Sequence, residues 1–412
     1  MNVPKRILFV GEEQPLWEEF RLLSPRPEGA WEAEYAHNEA EALGWIEQGP
    51  FTAVVADVHL SDTGGLDVLD DVMRRQPRAL RVVLSDLDDT ESTMKCVGKG
   101  HHHLMKPCDV ATLLHALELA IAMESWLPSV AVQGVISRMR WIPSPPALYF
   151  QIVSEVQSPS ASVGRVGDLI AQDPAVTAKV LQLANSAVFG LQLQVIHPAE
   201  AVVYLGLETT KALVLWAHTF SSFQHLRLSG FSGVHLWRHS MLVGRFARQI
   251  ALLEGAGPEV TEQAFAAGLL HDLGKLMFAA NLPKPFMQAL AQARNRSCGL
   301  WETETQVLGA THAELAACLL GIWGLPSPIV QAIALHHHPL SLPARAFSPL
   351  TAVHAANILA CEAASDPTGL VLPPIDLTYL KQLGLEDRFE EWREHCLTSQ
   401  PQRPEVYHPS AV

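Results

Sequence analysis

Residues 52–57 read TAVVAD, a short apolar run that ends in an aspartate. The run is continuous and does not alternate between apolar and polar residues, which is typical of a parallel strand buried on both faces. Segments with helical periodicity separate this run from four similar ones. Those runs are Arg6–Val10, Trp31–Ala36, Arg81–Ser85 and His102–Met105. The alternation predicts a doubly wound α/β domain with a five-stranded parallel sheet.

From about residue 130 the strand pattern is replaced by successive helical segments with short connections that contain Pro and Gly. This pattern predicts a compact all-helical domain. We expect an α/β domain at residues 1–124, a linker helix at 125–141, the all-helical domain at 142–345, and a C-terminal helical extension with a tail at 346–412. Val260–Ala280 is predicted to be one continuous helix, and Thr351–Ser365 is the one helix predicted for the extension.

The composition excludes several classes of function. The 412 residues include 29 Lys and Arg and 43 Asp and Glu, for a net charge of −14. Nucleic acids and anionic membranes both attract basic surfaces, so we expect neither as a partner. The six cysteines form no CxxC pair and are expected to be reduced thiols. No stretch approaches the ~20 apolar residues of a membrane helix, and MNVPKRILFV is too short for a signal peptide, so we expect a cytoplasmic location.

The first candidate site lies where the predicted strands end. Asp57 and Ser85 close their strands, and Lys106 follows the last strand. Glu12 and Glu13 follow the first strand. Because the carboxyl ends of such strands meet at one crevice, these side chains should lie together. The set suits phosphoryl transfer, with Asp57 as the nucleophile and with Lys106 and Ser85 on the phosphoryl oxygens. Glu12, Glu13 and Asp57 would hold Mg²⁺. The alternative is that Asp57 only caps a turn.

The second candidate site centres on the sequence GLLHDLGK at residues 268–275, which we place inside an apolar helix. Buried ionisable residues are costly without partners, and the adjacent His271 and Asp272 could bind one or two divalent metals. Lys275 could bind a phosphate oxygen. A group of ligands that is rich in imidazole and contains a carboxylate suits Fe, Mn, Zn or Ni better than Mg. The further candidate ligands are His239, His312, His336 and His337. The alternative is that these histidines are core residues whose hydrogen bonds are satisfied, in a site that no longer binds a metal.

Residues 1–124 resemble the receiver domain of bacterial two-component response regulators, which has a flavodoxin-like fold. The matching residues are the phosphoacceptor Asp57, the hydroxyl switch residue Ser85, Lys106 before a proline, the metal carboxylate Glu12, and His103 at the aromatic switch position. The resemblance implies that a histidine kinase phosphorylates Asp57. Gly11 replaces one member of the usual acidic pair, which should weaken Mg²⁺ binding and slow phosphorylation. The alternative is a degenerate receiver that is kept for protein contacts.

Residues 130–345 are similar to the HDOD domain, a signalling relative of the HD superfamily of metal phosphohydrolases. The similarity is carried by IPSPPALYFQIVSEV at 142–156, LIAQDPAVTAKVLQLANSAVFGL at 169–191, LWRHS at 236–240, GLLHDLGK at 268–275 and AIALHHHP at 332–339. In HD hydrolases the last metal ligand along the chain is an aspartate, and Asn357 occupies the corresponding position here. Related cyclic dinucleotide phosphodiesterases carry a Gly-Tyr-Pro motif after their paired histidines, and this motif is absent after His337. Both departures argue against hydrolysis.

These observations predict a two-domain response regulator. Phosphorylation of Asp57 would change the contacts that a non-catalytic HDOD output domain makes with a partner protein. The expected partners are the cognate histidine kinase and a downstream signalling protein, for which cyclic di-GMP metabolism is one candidate pathway. The resemblance to receivers also makes a homodimer a candidate. The alternative function is that of a metal-dependent phosphohydrolase acting on a nucleotide or a cyclic dinucleotide.

Overall fold

The computed structural model describes most of the chain. The described residues are 5–11, 15–23, 31–58, 65–76, 79–85, 102–106, 108, 110, 113–114, 117, 129–136, 138–139, 146–158, 161–185, 195–223, 228, 230–341, 346–363 and 374–398. They divide into two compact units, one of Met1–Ser129 with Cys318–Pro326 and one of Val130–Ala317 with Ser327–Val412. None of the described helices is both long and apolar enough to span a membrane.

The first unit contains a parallel sheet. Its strands are β1 (Lys5–Val10), β2 (Trp31–Ala36), β3 (Ala53–Asp57), β4 (Leu80–Ser85) and β5 (His102–Met105). They lie in the order β2-β1-β3-β4-β5, and every described pair is parallel. This is the strand order of flavodoxin-like folds, in which ligands bind beyond the carboxyl ends of the strands. The helices α1 (Pro15–Leu23), α2 (Glu39–Gln48) and α3 (Gly65–Arg75) connect the first four strands.

Both faces of the sheet are covered, which explains the continuous apolar runs. Successive residues of β1 point to opposite faces, so that Phe9 packs in one core with Trp17 of α1 while Leu8 packs in the other with Val68 of α3. Both cores therefore draw on the same strand. The sequence also predicts helices at residues 88–97 and 109–123, and the first of these and most of the second lie outside the described residues.

The remainder of the described chain is helical. The helices are α4 (Ser129–Ile136), α5 (Ala147–Gln157), α6 (Val163–Ala171), α7 (Pro174–Ala184), α8 (Pro198–Leu205), α9 (Leu207–Ser222), α10 (Gly233–Leu253), α11 (Pro258–Leu270), α12 (Leu273–Asn281), α13 (Pro283–Arg296), α14 (Leu300–Val307), α15 (His312–Ile322), α16 (Ser327–Leu335), α17 (Pro349–Ala363), α18 (Leu377–Leu383) and α19 (Phe389–Thr398). The helix α11 is central, because α9, α10, α16 and α17 all pack against it.

Small residues set the distance between α10 and α11. A Cβ atom added at Gly268 would lie 2.8 Å from the Cα atom of Gly244, and one added at Gly244 would lie 3.1 Å from the carbonyl oxygen of Phe265. The two backbones are therefore in direct contact at this crossing. The close approach places His239, five residues before Gly244 on α10, beside the end of α11.

The segment 260–280 is not the single helix that the sequence predicts. It forms α11 and α12, which are separated by His271 and Asp272. Asp272 has φ −101° and ψ 8°, which interrupts the helical geometry. The change of direction brings Gly274 against the start of α15, where an added Cβ would lie 2.0 Å from the carbonyl oxygen of His312. The break therefore places the His271-Asp272 pair beside the start of α15.

The C-terminal segment is more ordered than predicted, because α18 and α19 follow the single helix that the sequence indicates there. Asp376 caps α18 by accepting a hydrogen bond from the Tyr379 backbone N–H, and Gly384 ends this helix in the left-handed conformation. The Trp392 indole of α19 is buried and donates to Glu254 at 2.8 Å. Both helices are too short to show a clear period in the sequence.

The Gly244–Gly268 crossing leads to a stability prediction. Gly268→Ala should destabilise the helical unit by about 1–3 kcal/mol, because the added methyl group overpacks a backbone contact. Urea unfolding followed by circular dichroism measures the loss. Gly233→Ala on α10 is the control, since no heavy atom of the described residues outside its own stretch of helix lies within 4 Å of its added Cβ. Equal losses in the two variants would contradict the role of the crossing.

Candidate functional site

The carboxylate of Asp272 is the centre of a buried cluster. Its Oδ2 atom lies 2.7 Å from Lys275 Nζ and 3.3 Å from His271 Nε2. His312 Nε2 lies 3.2 Å from Oδ1, and His239 Nε2 lies 3.6 Å from Oδ2. The side chain of Asp272 is 1% exposed. A carboxylate buried to this extent requires positive charge or donors around it, and these neighbours can provide both.

Six separate parts of the helical unit contribute to the cluster. The contributing groups are His239 on α10, His271 and Asp272 between α11 and α12, Lys275 on α12, His312 at the start of α15, His336 and His337 after α16, and Asn357 on α17. The ligand atoms of His239, His271 and Asp272 lie within 4.8 Å of one another, as do those of His312, His336 and His337. The structure thus brings together all six predicted metal ligands and Asn357.

Hydrogen bonds to Nδ1 orient three of the imidazole rings. His271 Nδ1 donates to the carbonyl oxygen of Gly268 and His336 Nδ1 donates to that of Ile333, both at 2.7 Å. His312 Nδ1 lies 2.6 Å from Glu304 Oε2. Since a carbonyl oxygen can only accept, the proton of a neutral His271 or His336 must be on Nδ1. Their Nε2 lone pairs are then available as ligands, as in histidines that bind metals.

Among the described residues, two of these three Nε2 atoms have no hydrogen-bond partner, whereas that of His312 lies 3.2 Å from His337 Nε2. Within the described residues, Nε2 of His271 and of His336 is buried and makes no hydrogen bond. A neutral His271 also presents its lone pair at 3.3 Å from an oxygen of Asp272. Two electron-rich atoms this close require a proton or a cation between them. The donor set therefore fits a divalent ion bound by nitrogen and oxygen, as in zinc and iron sites.

The pKa shifts in the cluster favour, for most of its side chains, the protonation state that binds a metal. Burial lowers the pKa of His239 to about 4, and burial together with neighbouring imidazoles holds the pKa of His336 and His337 well below the ordinary value. Burial alone would raise the pKa of Asp272, but His271 and Lys275 hold this pKa well below its usual range. Neutral imidazoles and an ionised carboxylate are the forms that bind metals.

The pKa of His312 is shifted in the opposite direction. Burial alone would lower it, but the Glu304 carboxylate and the contact with Asp272 raise it above the ordinary value. In the absence of a metal, a protonated His312 can therefore balance part of the negative charge of Asp272.

Asn357 lies at the cluster beside His239. Its Oδ1 atom is 3.0 Å from His239 Nε2. The residue therefore occupies a position from which an aspartate could bind a metal held by His239. An amide oxygen can coordinate a metal, but it provides no negative charge, so any ion here is held by less charge than in a site with two aspartates.

Three features of this site were not predicted from the sequence. The carboxylate of Glu304 hydrogen-bonds His312, and the indole of Trp301 stacks on His337 at 4.0 Å between ring centroids. Lys275, predicted to bind phosphate, is engaged by Asp272. The sequence signal for Glu304 and Trp301 is weak, because the short helix α14 carries none of the histidine motifs, although Glu304 precedes His312 by only eight residues.

The second site, in the α/β unit, is described in part. Asp57 closes β3 and accepts a hydrogen bond from Lys106 Nζ at 2.8 Å. Ser85 closes the neighbouring strand β4, and its carbonyl oxygen accepts from the Lys106 backbone N–H at 2.8 Å. The structure thus places Asp57, Ser85 and Lys106 at the same edge of the sheet. Glu12 and Glu13 lie outside the described residues, and so does the side chain of His103, whose backbone pairs with Val83.

Gly11 packs directly against the candidate phosphoacceptor. Its φ is +149°, and an added Cβ would lie 2.8 Å from Asp57 Cβ. Any side chain at position 11 would therefore displace Asp57 in addition to introducing its own functional group. Of the three residues predicted to hold Mg²⁺, only Asp57 is described, and its Oδ2 is engaged by Lys106.

The comparisons with known proteins bear on the helical unit. Residues 142–339 match the HDOD domain family, which confirms the HDOD prediction for this part of the chain. An uncharacterized protein of Treponema pallidum (strain Nichols) is 26% identical over 205 residues, which are 50% of this chain. The matched part covers only 39% of that relative's length.

Two solved structures share the helical fold. One is an HDOD domain protein of unknown function from Geobacter sulfurreducens, which is 22% identical with a TM-score of 0.52 and aligns over 66% of this chain and 97% of its own. The other is a candidate phosphohydrolase from Shewanella amazonensis SB2B, which is 22% identical with a TM-score of 0.50 and aligns over 66% of this chain and 95% of its own. At this identity the similarity shows the fold alone.

Metal binding at the cluster can be measured as a gain in stability. Zn²⁺ at a hundred times its Kd should stabilise the helical unit by about 2.7 kcal/mol. His271→Ala should abolish this gain, and Asn357→Asp should reach it at a lower Zn²⁺ concentration because it adds a negative charge. Thermal unfolding with and without Zn²⁺ provides the measurement. His338→Ala is the control, since His338 is exposed; a Zn²⁺ effect that survives in His271→Ala would place the ion elsewhere.

Proposed function

We propose that this chain, which carries an HDOD domain at residues 142–339, is a signal-transduction protein controlled by phosphorylation of Asp57. A histidine kinase would donate the phosphoryl group to the α/β unit. The HDOD domain would transmit the signal by changing its contacts with a downstream protein, for which cyclic di-GMP metabolism is one candidate pathway. Self-association into a homodimer is part of the same proposal.

The observation that carries this proposal is the pair formed by Asp57 and Lys106. The carboxylate is 6% exposed and the ammonium group 20% exposed, and they meet at 2.8 Å at the carboxyl edge of the sheet. Ser85 lies on the adjacent strand at the same edge, because Leu84 is paired with Asp57. A nucleophile, a cation and a hydroxyl group are therefore available where flavodoxin-like sheets bind their ligands.

The chemistry of the transfer follows from these groups. An oxygen of Asp57 attacks the phosphorus of a phosphohistidine, the P–N bond breaks, and the electron pair leaves on the imidazole nitrogen. Lys106 exchanges the Asp57 carboxylate for a phosphoryl oxygen, and the Ser85 hydroxyl donates to another. Mg²⁺, when bound, would neutralise charge on the phosphoryl oxygens. The added charge then reorganises the groups around Asp57.

The helical unit supports a binding role more than a catalytic one. Asn357 stands where hydrolases of the HD superfamily carry an aspartate, and its amide is already in contact with His239. A site with less negative charge binds a divalent ion more weakly, so the metal-bound water that a hydrolase ionises is less readily formed. The HDOD domain is therefore proposed as a module that recognises a protein partner.

Phosphorylation can be tested on the full chain. Incubation with acetyl phosphate and Mg²⁺ should label the wild type, and phosphate-affinity electrophoresis should show the shifted band. Asp57→Asn should abolish the label, because the amide is not a nucleophile towards phosphorus. Asp67→Asn, a change of the same kind on the exposed start of α3, should leave it intact. A label that persists in Asp57→Asn, or none in the wild type, would refute the proposal.

A second candidate function is metal-dependent phosphohydrolysis by the helical unit. It is favoured by the convergence of two groups of three ligand atoms around Asp272. The candidate phosphohydrolase among the similar structures is consistent with it only at the level of fold.

Hydrolysis distinguishes the two functions. We expect no turnover of nucleoside phosphates or cyclic dinucleotides by the purified chain in the presence of Mn²⁺ or Fe²⁺, because the carboxylate set is incomplete. Chromatographic product analysis is the measurement, and His271→Ala is the control. Turnover in the wild type that His271→Ala abolishes would establish the second candidate in place of the binding module.

A further inference from the structure

Glu304 is a buried carboxylate that none of the roles described so far requires. It lies on α14, is 0% exposed, and is remote in sequence from the HD motif. Its Oε2 atom accepts two hydrogen bonds from the same residue, one from the His312 backbone N–H at 2.8 Å and one from His312 Nδ1 at 2.6 Å. A single oxygen atom therefore fixes both the backbone and the ring of His312.

We propose that Glu304 is a positioning residue that holds His312 with Nε2 directed into the cluster, and that it thereby strengthens metal binding there. The inference rests on the metal site of the second candidate function. With Nδ1 bonded to Glu304, the ring presents Nε2 at 3.2 Å from Asp272 Oδ1 and at 3.2 Å from His337 Nε2. Carboxylates that accept from the second nitrogen of a metal-binding histidine fix the ring orientation and make it a better ligand.

A simple capping role does not account for these contacts. The start of α15 already has a capping box, in which Thr311 and Glu314 serve each other. The Thr311 backbone N–H donates to Glu314 Oε2 at 2.8 Å, and the Glu314 backbone N–H donates to Thr311 Oγ1 at 3.1 Å. The bond from Nδ1 to Glu304 adds nothing to the capping of this helix, but it does determine how the His312 ring is turned.

Burial makes this arrangement specific. The side chains of His312 and Glu304 are both 0% exposed, so water cannot replace the carboxylate as the acceptor for Nδ1. If the negative charge were removed, the ring would keep its space and lose its strongest orienting partner. The effect should therefore appear in the ligand properties of His312 more than in the fold.

The test compares Glu304→Gln with Glu314→Gln in the full chain. Zn²⁺ affinity is measured by competition with a chromophoric chelator, and the visible spectrum of bound Co²⁺ reports the ligand geometry. Glu304→Gln should weaken Zn²⁺ binding about 10–100-fold and change the Co²⁺ spectrum. Glu314→Gln removes a carboxylate from the capping box of the same helix and should change neither. Wild-type affinity in Glu304→Gln would overturn the inference.

A second measurement does not depend on metal or on the folding of the variant. In chain labelled with ¹⁵N-histidine, the nitrogen shifts of His312, assigned with His312→Gln and recorded at a pH above its raised pKa so that the ring is neutral, report which ring nitrogen carries the proton. We expect a protonated Nδ1 in the wild type, and a mixed tautomer in Glu304→Gln if that variant folds. If the wild type binds no Zn²⁺, the metal site of the second candidate function is ruled out, and only this measurement tests the positioning role. A protonated Nδ1 then supports that role, and any other state overturns it.

Discussion

The helical unit is organised around one constraint, which is that the buried charge of Asp272 must be compensated. The carboxylate is 1% exposed, and Lys275 is the positive group in closest contact with it, at 2.7 Å. Apart from the adjacent His271, the histidines that surround it come from helices far apart in the sequence, so their part of the compensation is available only when these helices are packed. The break between α11 and α12, the close Gly244–Gly268 crossing and the contact of Gly274 with α15 all serve to bring these groups together.

The two candidate sites use the same chemical arrangement in different folds. In each, a nearly buried aspartate is paired with a lysine whose side chain is about one-fifth exposed: Asp57 with Lys106, and Asp272 with Lys275. Such a lysine pairs with the carboxylate and can be exchanged for another positive or electrophilic partner. At Asp57 that partner would be a phosphoryl group, and at Asp272 it would be a metal ion. The surroundings decide the difference, since imidazoles surround Asp272 whereas strand ends surround Asp57.

Much of the fold could be predicted because its periodic signals are local. The runs Trp31–Ala36 and His102–Met105 are strands with the predicted bounds. The strands β3 and β4 begin within one residue of the predicted start, since their burial on both faces leaves a continuous apolar pattern. The helix α12 was missed as a separate element, because its residues continue the apolar period of α11 and the break depends on Asp272 and Gly274 meeting α15. The helices α18 and α19 were missed because they are short, and because α18 depends on its caps and α19 on packing against α10 and α17.

What the sequence by itself determined is the kind of residues that each site contains: an aspartate and a lysine at strand ends, and a histidine-rich set around Asp272. These follow from short motifs whose spacing is readable without a structure. Only the tertiary structure decided that Glu304 orients His312, that Lys275 pairs with Asp272, and that Gly11 packs against Asp57. Hydrogen bonds, ion pairs and close packing depend on distances of a few tenths of an ångström and on the direction in which each side chain points, and periodicity carries no information about either.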